Sequence, residues 1–356
     1  MSGAVSSGAK GGRRGLRRWL PATWRDWRGP LVRCGWLIVV AAYTGLAYAY
    51  VFPHDLRNTG AVHVWAAWTA FMIRTFLFHL GLLLCAVAIG AAVLRRWRLV
   101  IAAVPAAAFT VGPAAWSCLP KRPPAVAGET IRIMSANLLA ENRRTGPIVA
   151  EVAAVRPDVL VLLEYAPHWH QAFQVALGSE YPYVCHVQRW DSFGLAIYSR
   201  RPFVEPVKTA LALGGAGTPQ ARAVIELAGR AVALYVVHLM PPIGRAYTAE
   251  QRAEFVDLLE LLREEKLPVV LCGDFNFTNE SVFADELERL GLADAHRISG
   301  WGRGATWPAL GLVRYVPGVR IDHVFLSQEL TSRRSTVGRG GGSDHRPIVV
   351  EVGFAR

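Results

Sequence analysis

Val270-Leu271-Cys272-Gly273-Asp274-Phe275-Asn276 runs from a short apolar stretch straight into a glycine, a carboxylate and an amide. A short apolar run that stops at a glycine reads as a strand, here Val269–Cys272. The two polar side chains then sit at its end. The same arrangement recurs along the chain. Asn137 closes Ile131–Asn137 (IRIMSAN), Glu164 closes Pro157–Glu164 (PDVLVLLE) and His238 closes Leu234–His238 (LYVVH). Asp322 lies inside Arg320–Leu326 (RIDHVFL), and Asp344 and His345 precede the strand of Gly342–Val350 (GSDHRPIVV). One polar residue at a strand end is unremarkable. Six strands that each carry one imply convergence on one rim of a sheet, where a scaffold holds polar groups rigidly.

Working outward, further strands are expected at Tyr183–His186, Leu195–Ser199, Ala223–Leu227 and Val232–Val237. Helical patterns fall at Pro147–Val155, His168–Leu177, Tyr247–Glu264 and Ser281–Leu290. Many strands with fewer, interspersed helices suggest two sheets with helices on the outside. Residues 129–356 read as one large α/β domain.

The residue types suit hydrolysis of a phosphate ester. Glu164, Asp274, Asp344 and Asn137 are hard oxygen donors of the kind Mg²⁺ or Mn²⁺ prefers. The five cysteines form no zinc-like spacing. An imidazole oriented by a carboxylate is the group needed to take a proton from water. No G-x-S-x-G elbow offers a serine nucleophile. Arg222 reads either as a phosphate contact or as a surface arginine on its strand, and His323 should point away from Asp322 by strand alternation.

Asn137, Glu164, His238, GDFN at 273–276, IDH at 321–323 and SDH at 343–345, in this order, resemble the endonuclease/exonuclease/phosphatase superfamily. The resemblance spans residues 130–353 and implies a four-layer αββα sandwich, an α+β arrangement with the site at the top of its two sheets. It implies Glu164 as chief divalent-metal ligand with Asn137 and Asp344 nearby, and His345 as general base oriented by Asp322. Asp274 would assist proton movement, and Asn276 and His238 would bind the scissile phosphate. Water would attack directly, without a covalent enzyme intermediate.

The first third of the chain is of a different kind. The sequence has 356 residues, 39 Lys+Arg and 27 Asp+Glu, hence +12; 52% is apolar and 19% charged. Residues 1–128 hold 15 basic and 2 acidic residues, a balance of +13, which leaves 24 and 25, a balance of −1, for residues 129–356. Residues 1–30 form a basic arm. Leu31–Tyr50, Thr75–Leu94 and Leu99–Leu119 are each close to the roughly 20 residues that cross a bilayer core. The expectation is a membrane anchor over 31–119 with about three transmembrane helices, joined by a Pro-rich linker at 120–128 to the domain at 129–356. Ala61–Ile73 is too short to cross and reads as an interfacial helix. The basic arm and Arg95-Arg96-Trp97-Arg98 should be cytoplasmic, which places the domain of residues 129–356 outside the cytoplasm on a multi-pass cell-membrane protein.

These features exclude a disordered chain and a small disulfide scaffold. They point to a membrane-anchored, metal-dependent phosphodiesterase or phosphatase, with the bilayer as a partner and no obligate protein partner evident. Substrate stays open among phospholipid head groups, nucleic acid and inositol phosphates. A nuclease is the alternative, weakened by the balance of −1 because duplex binders usually bring a basic face. A non-catalytic module that binds a phosphorylated ligand is the other. The loop Trp301–Leu312 reads as inserting into lipid, stacking on a base, or simply packed.

Overall fold

The computed structural model describes residues 24–356; most of the basic arm expected at 1–30 lies outside the described residues. Four helices come first: α1 (Trp24–Val51), α2 (Ala61–Thr75), α3 (Leu77–Val93) and α4 (Trp97–Ser117). The order then becomes β1 (Val126–Asn137), α5 (Thr145–Val155), β2 (Val159–Leu163), α6 (Pro167–Leu177), β3 (Tyr183–Val187) and β4 (Leu195–Ser199). It continues with β5 (Ala221–Leu227), β6 (Arg230–His238), α7 (Gly244–Glu264), β7 (Val269–Asp274), α8 (Val282–Arg289), β8 (Ala293–Asp294) and α9 (Ala295–Ser299). It closes with β9 (Asp322–Leu326), β10 (Leu330–Val337) and β11 (Ile348–Ala355).

The strands form a six-stranded sheet, β10-β11-β1-β2-β4-β3, and a five-stranded sheet, β5-β6-β7-β9-β8. Strand alternation explains how the layers stack. In β2, Val159, Val161 and Leu163 enter the core between the sheets, while Leu160 and Leu162 pack with Trp169 and Phe173 of α6. In β7, Val270 and Cys272 face the inter-sheet core, while Val269 and Leu271 pack with Phe255 of α7 and Leu287 of α8. Both faces of each central strand are thus apolar, and the result is helix, sheet, sheet, helix.

β10 escapes the hydrophobic pattern because it is an edge strand of sequence LTSRRSTV, bulged between Ser332 and Arg334. Arginines and a bulge are ordinary ways to blunt a sheet edge. β1 begins at Val126, inside the stretch expected as linker, because Val126 and Ala127 pair with Ala355 and Phe354.

Two of the N-terminal helices are long and apolar enough to cross a membrane, Arg28–Val51 and Trp97–Ser117. The third expected span, Thr75–Leu94, corresponds to α3 alone, which has 17 residues. It reaches a span's length only together with α2, from which it is bent by 60°. α2 lies against the domain that follows. Phe71 packs on Phe283 with ring centroids 5.8 Å apart, and Trp68 Nε1 donates to the Pro242 carbonyl at 2.8 Å. Arg74 pairs with Asp285 at 2.7 Å.

The helices arrange their charge by end. Gly35 of α1 packs against Leu99 of α4, beside the Arg95–Arg98 loop. At the other end, Gly302 N donates to the Ser117 carbonyl at 2.9 Å, and Trp301 Nε1 to the Cys118 carbonyl at 3.1 Å. The α/β domain therefore sits at the end of the helices opposite the arginines.

Candidate active site

The inter-sheet face of each strand supplies the site. In β1, β6, β7 and β9 the apolar residues Ile133, Val236, Cys272 and Val324 point into that core. Continuing the alternation to the rim puts Asn137, His238, Asp274 and Asp322 on the same side. Asp274 and Asp322 are register partners across the β7–β9 pair.

Hydrogen bonds join these residues into one network. Asn137 Nδ2 donates to Glu164 Oε1 at 2.9 Å and to Asp274 Oδ2 at 3.1 Å. Ala140 N donates to Glu164 Oε2 at 2.9 Å. Asn276 N donates to Asp274 Oδ1 at 3.0 Å, and Asn276 Nδ2 to the Leu239 carbonyl at 2.9 Å. His345 Nδ1 and Asp322 Oδ2 lie 2.9 Å apart. The other ring nitrogen, Nε2, is 3.7 Å from Asp274 Oδ2, and His238 Nε2 is 3.6 Å from the same oxygen. Asp274, Asp322 and His345 form a buried group whose ligand atoms all lie within 4.8 Å of one another.

Two site residues carry backbone strain. Glu164 (φ 54°) and Asn276 (φ 52°) both adopt left-handed conformations. Such conformations in residues other than glycine persist where the surroundings over-determine them, often at functional sites.

The charge is lopsided. Burial alone would lower the His345 imidazole, but the carboxylates of Asp322, Asp274 and Asp344 outweigh it and push its pKa up to about 10. Burial pushes the Asp274 carboxyl above the usual carboxylate range, with Asp322 adding to the effect and His345 opposing it. One Asp344 oxygen accepts from Trp307 Nε1 at 3.1 Å, and the other is buried without a hydrogen-bond partner. Four carboxylates, one of them with an orphaned oxygen, fit a divalent cation: the donors are hard, and a single imidazolium does not balance their charge. The metal donors expected from the sequence, Glu164, Asn137 and Asp344, lie beside the Asp274–Asp322–His345 group, and Asn137 links Glu164 to Asp274.

The structure does not bring Arg222 into the site. Ala221 and Ala223 on either side face the inter-sheet core, so Arg222 points to the outer face. There it pairs with Glu265 at 2.7 Å and with Glu205. His323, by the same alternation, faces away from Asp322; its Nδ1 is 2.9 Å from Asp294 and its Nε2 is 2.9 Å from the Phe277 carbonyl. Arg320 joins the same Asp294 at 2.7 Å. Removing Asp294 leaves two buried partners uncompensated, so Asp294→Ala is expected to cost about 3–5 kcal/mol of stability, read as a lowered thermal midpoint.

The sequence motifs assign no role to Ser343 of the SDH segment and do not single out Thr306 or Gln220. Ser343 Oγ donates to the Asn137 carbonyl at 2.8 Å and accepts from His345 N at 3.0 Å, which fixes the loop that carries His345. Thr306 Oγ1 accepts from Asp322 N at 3.3 Å. Gln220 Oε1 accepts from His238 N at 2.7 Å. The contacts to Asn137, Asp322 and His238 join distant segments, and spacing alone gives no sign of them; the Ser343–His345 contact is local to SDH.

Residues 134–345 match the model of the endonuclease/exonuclease/phosphatase family. The fold is similar to that of an endonuclease/exonuclease/phosphatase from Beutenbergia cavernae, at 21% identity and a TM-score of 0.53, covering 64% of this chain and 72% of that one. It is similar to truncated TDP2 from Caenorhabditis elegans, at 21% identity and a TM-score of 0.53, covering 65% of this chain and all (100%) of that one. The human nocturnin catalytic domain with bound sulfate gives 20% identity and a TM-score of 0.51, covering 66% of this chain and 100% of that one. No curated protein matches the sequence.

Proposed function

The chain belongs to the endonuclease/exonuclease/phosphatase family, and from that premise we propose that it is a membrane-anchored hydrolase that cleaves a phosphoester by direct attack of water. The observation that carries this reading is the His345–Asp322 pair at 2.9 Å, set beside buried Asp274 and joined through Asn137 to Glu164.

Asp322 fixes the imidazole through Nδ1, which leaves Nε2 to take the proton of the attacking water. Asp274 lies next to that nitrogen and passes or holds the proton. His238 and Asn276 flank Asp274 and supply donors to the phosphoryl oxygens, whose charge grows in the transition state. Glu164, with Asn137 and Asp344, would hold Mg²⁺ or Mn²⁺, which when bound polarises the phosphoryl group and offsets the surplus carboxylate charge. Glu164→Gln is expected to raise the Mg²⁺ concentration for half-maximal hydrolysis of a phosphodiester by at least the roughly 10- to 100-fold that loss of an outer partner of a metal ligand costs. An unchanged Mg²⁺ requirement would remove Glu164 from the metal role.

Two features support the anchor reading: α1 and α4 have the length and composition of spans, and the α/β domain docks at the end away from the arginines. With basic loops on the cytoplasmic side, that domain lies outside. Protease added to intact cells is expected to reach it; protection would place it inside. A nuclease remains the second reading, favoured by Trp301 and Trp307, exposed at 74% and 36%, with Trp307 bonded to Asp344. The 3′ phosphatase NExo from Neisseria, similar in fold, was solved with a product DNA hairpin. A substrate panel of DNA, RNA, phospholipids and inositol phosphates separates the readings.

A further inference from the structure

A cavity of about 1120 Å³ lies where the helices meet the α/β domain, away from the Asp274–Asp322–His345 group. Its walls differ in chemistry. On the helix side stand Leu77, Phe78, Phe109, Pro113 and Trp116, all in turns at the end of α3 or α4 that faces the α/β domain. On the domain side it is basic, and Lys121, Arg122 and Arg303 make no ion pair among the described residues. Lys121 Nζ donates to the His296 carbonyl at 2.9 Å. The Arg303 guanidinium lies 3.9 Å from the centre of the Phe78 ring. The acidic residues of the lining are mostly taken: Asp285 by Arg74 and Glu288 by Arg297. Glu280 carries the remaining carboxylate.

Two lining atoms add to this. Thr278 Oγ1 and Asn279 Oδ1 are buried without hydrogen-bond partners among the described residues. The hydroxyl can donate to a phosphate oxygen, and the amide oxygen can accept from a head-group hydroxyl such as that of phosphatidylglycerol. Burial pulls both Lys121 and Arg303 below their usual pKa; Arg320 adds to the effect at Lys121, and Glu280 partly offsets it at Arg303. An anion placed between the two cations would favour their charged forms.

We infer that this cavity is a binding site for one anionic phospholipid, its phosphate held by Lys121 and Arg303 and its acyl chains laid along Phe78, Phe109 and Trp116. The site goes beyond the hydrolase reading and uses none of its residues. It rests on α1, α3 and α4 lying in the membrane, which would set the cavity at the level of the lipid head groups. A cation that keeps its charge at that level while its neighbours are apolar is the usual way such a pocket recognises an acidic lipid.

The test uses the full chain in non-ionic detergent, titrated with dioleoylphosphatidylglycerol or dioleoylphosphatidylcholine and read by native mass spectrometry. One phosphatidylglycerol is expected to bind more tightly than phosphatidylcholine. Lys121→Gln with Arg303→Gln should weaken it roughly 10- to 30-fold, about what two cation contacts to an acidic lipid are worth. Arg95→Gln, at the far end of the helices, should leave it unchanged. Gly112 lines the cavity and a Cβ there meets nothing within 4 Å, so Gly112→Phe should block the site without touching either cation. Each variant's thermal midpoint is compared with the parent, so that loss of fold is not read as loss of binding. Millimolar inorganic phosphate should fail to displace the lipid. Equal binding of the two lipids, an equal effect of Arg95→Gln, no effect of Gly112→Phe, or full displacement by phosphate would each overturn the inference. Glu164→Gln should retain the binding, which separates this site from the catalytic one.

Discussion

Replacing His345 by Ala is expected to lower kcat for phosphodiester hydrolysis by roughly 10²–10⁴-fold with little change in KM, the usual span for a lost general base. The side chain is nearly buried, bonded to Asp322 and faced by Asp274, so its position is fixed by the fold. Without a cation, its pKa of about 10 keeps it protonated at neutral pH. A protonated imidazole is no base, so hydrolysis by the cation-free protein should rise only at alkaline pH. The linkage to stability has a definite sign. A pKa raised in the folded state favours folding below the unfolded value, about 6.5. That contribution is lost as pH climbs through about 10. In chelator, the thermal midpoint should therefore fall between pH 7 and 10, and Asp322→Asn should flatten that fall. A midpoint that rises over this interval in the parent would contradict the charge balance described for the site.

Gly273→Ala is expected to prevent folding. A Cβ at residue 273 would lie 1.8 Å from the Val237 carbonyl oxygen, and the residue sits at φ 142°. β6 and β7 are parallel neighbours with Val237 opposite Gly273, so relief would require breaking the pairing that aligns His238 with Asp274. The cost should exceed about 4 kcal/mol, the range reached only by disruptive substitutions. Folded yield and thermal midpoint measure it, and a variant that folds with a parent-like midpoint would refute the close approach. The glycine of the GDFN segment is thus a packing requirement that sets the spacing of two site residues.

Much of this was legible in the chain. β2 and β4 fall where their apolar runs end, at Val159–Leu163 and Leu195–Ser199, because both strands are buried on both faces. Asn137, His238, Asp274 and Asp322 could be read as converging on one rim because each lies at the end of or inside a short apolar strand, and in the folded chain strand alternation sets them on one side. What was hidden follows from the physics of each place. β10 is polar because it lies at an edge, and no hydrophobic rhythm marks it. Arg222 sits on a strand that supplies the core, yet one step of alternation turns it outward to Glu205 and Glu265. α2 has the composition of an interfacial helix, and only the tertiary structure shows Phe71 and Arg74 seated on Phe283 and Asp285. The Ser343, Thr306 and Gln220 contacts join segments distant in sequence, so no local pattern carries them.

The central claim is that these rim residues form a cation-dependent centre that activates water. The most direct test is hydrolysis of bis(p-nitrophenyl) phosphate by the purified full chain in Mg²⁺, after a chelator, and after Mg²⁺ is restored, with His345→Ala run alongside. Expected at neutral pH is hydrolysis that the chelator abolishes, that Mg²⁺ restores, and that His345→Ala lowers by roughly 10²-fold or more in Mg²⁺. Hydrolysis indifferent to the chelator, or equal in the parent and the His345→Ala variant, would contradict it.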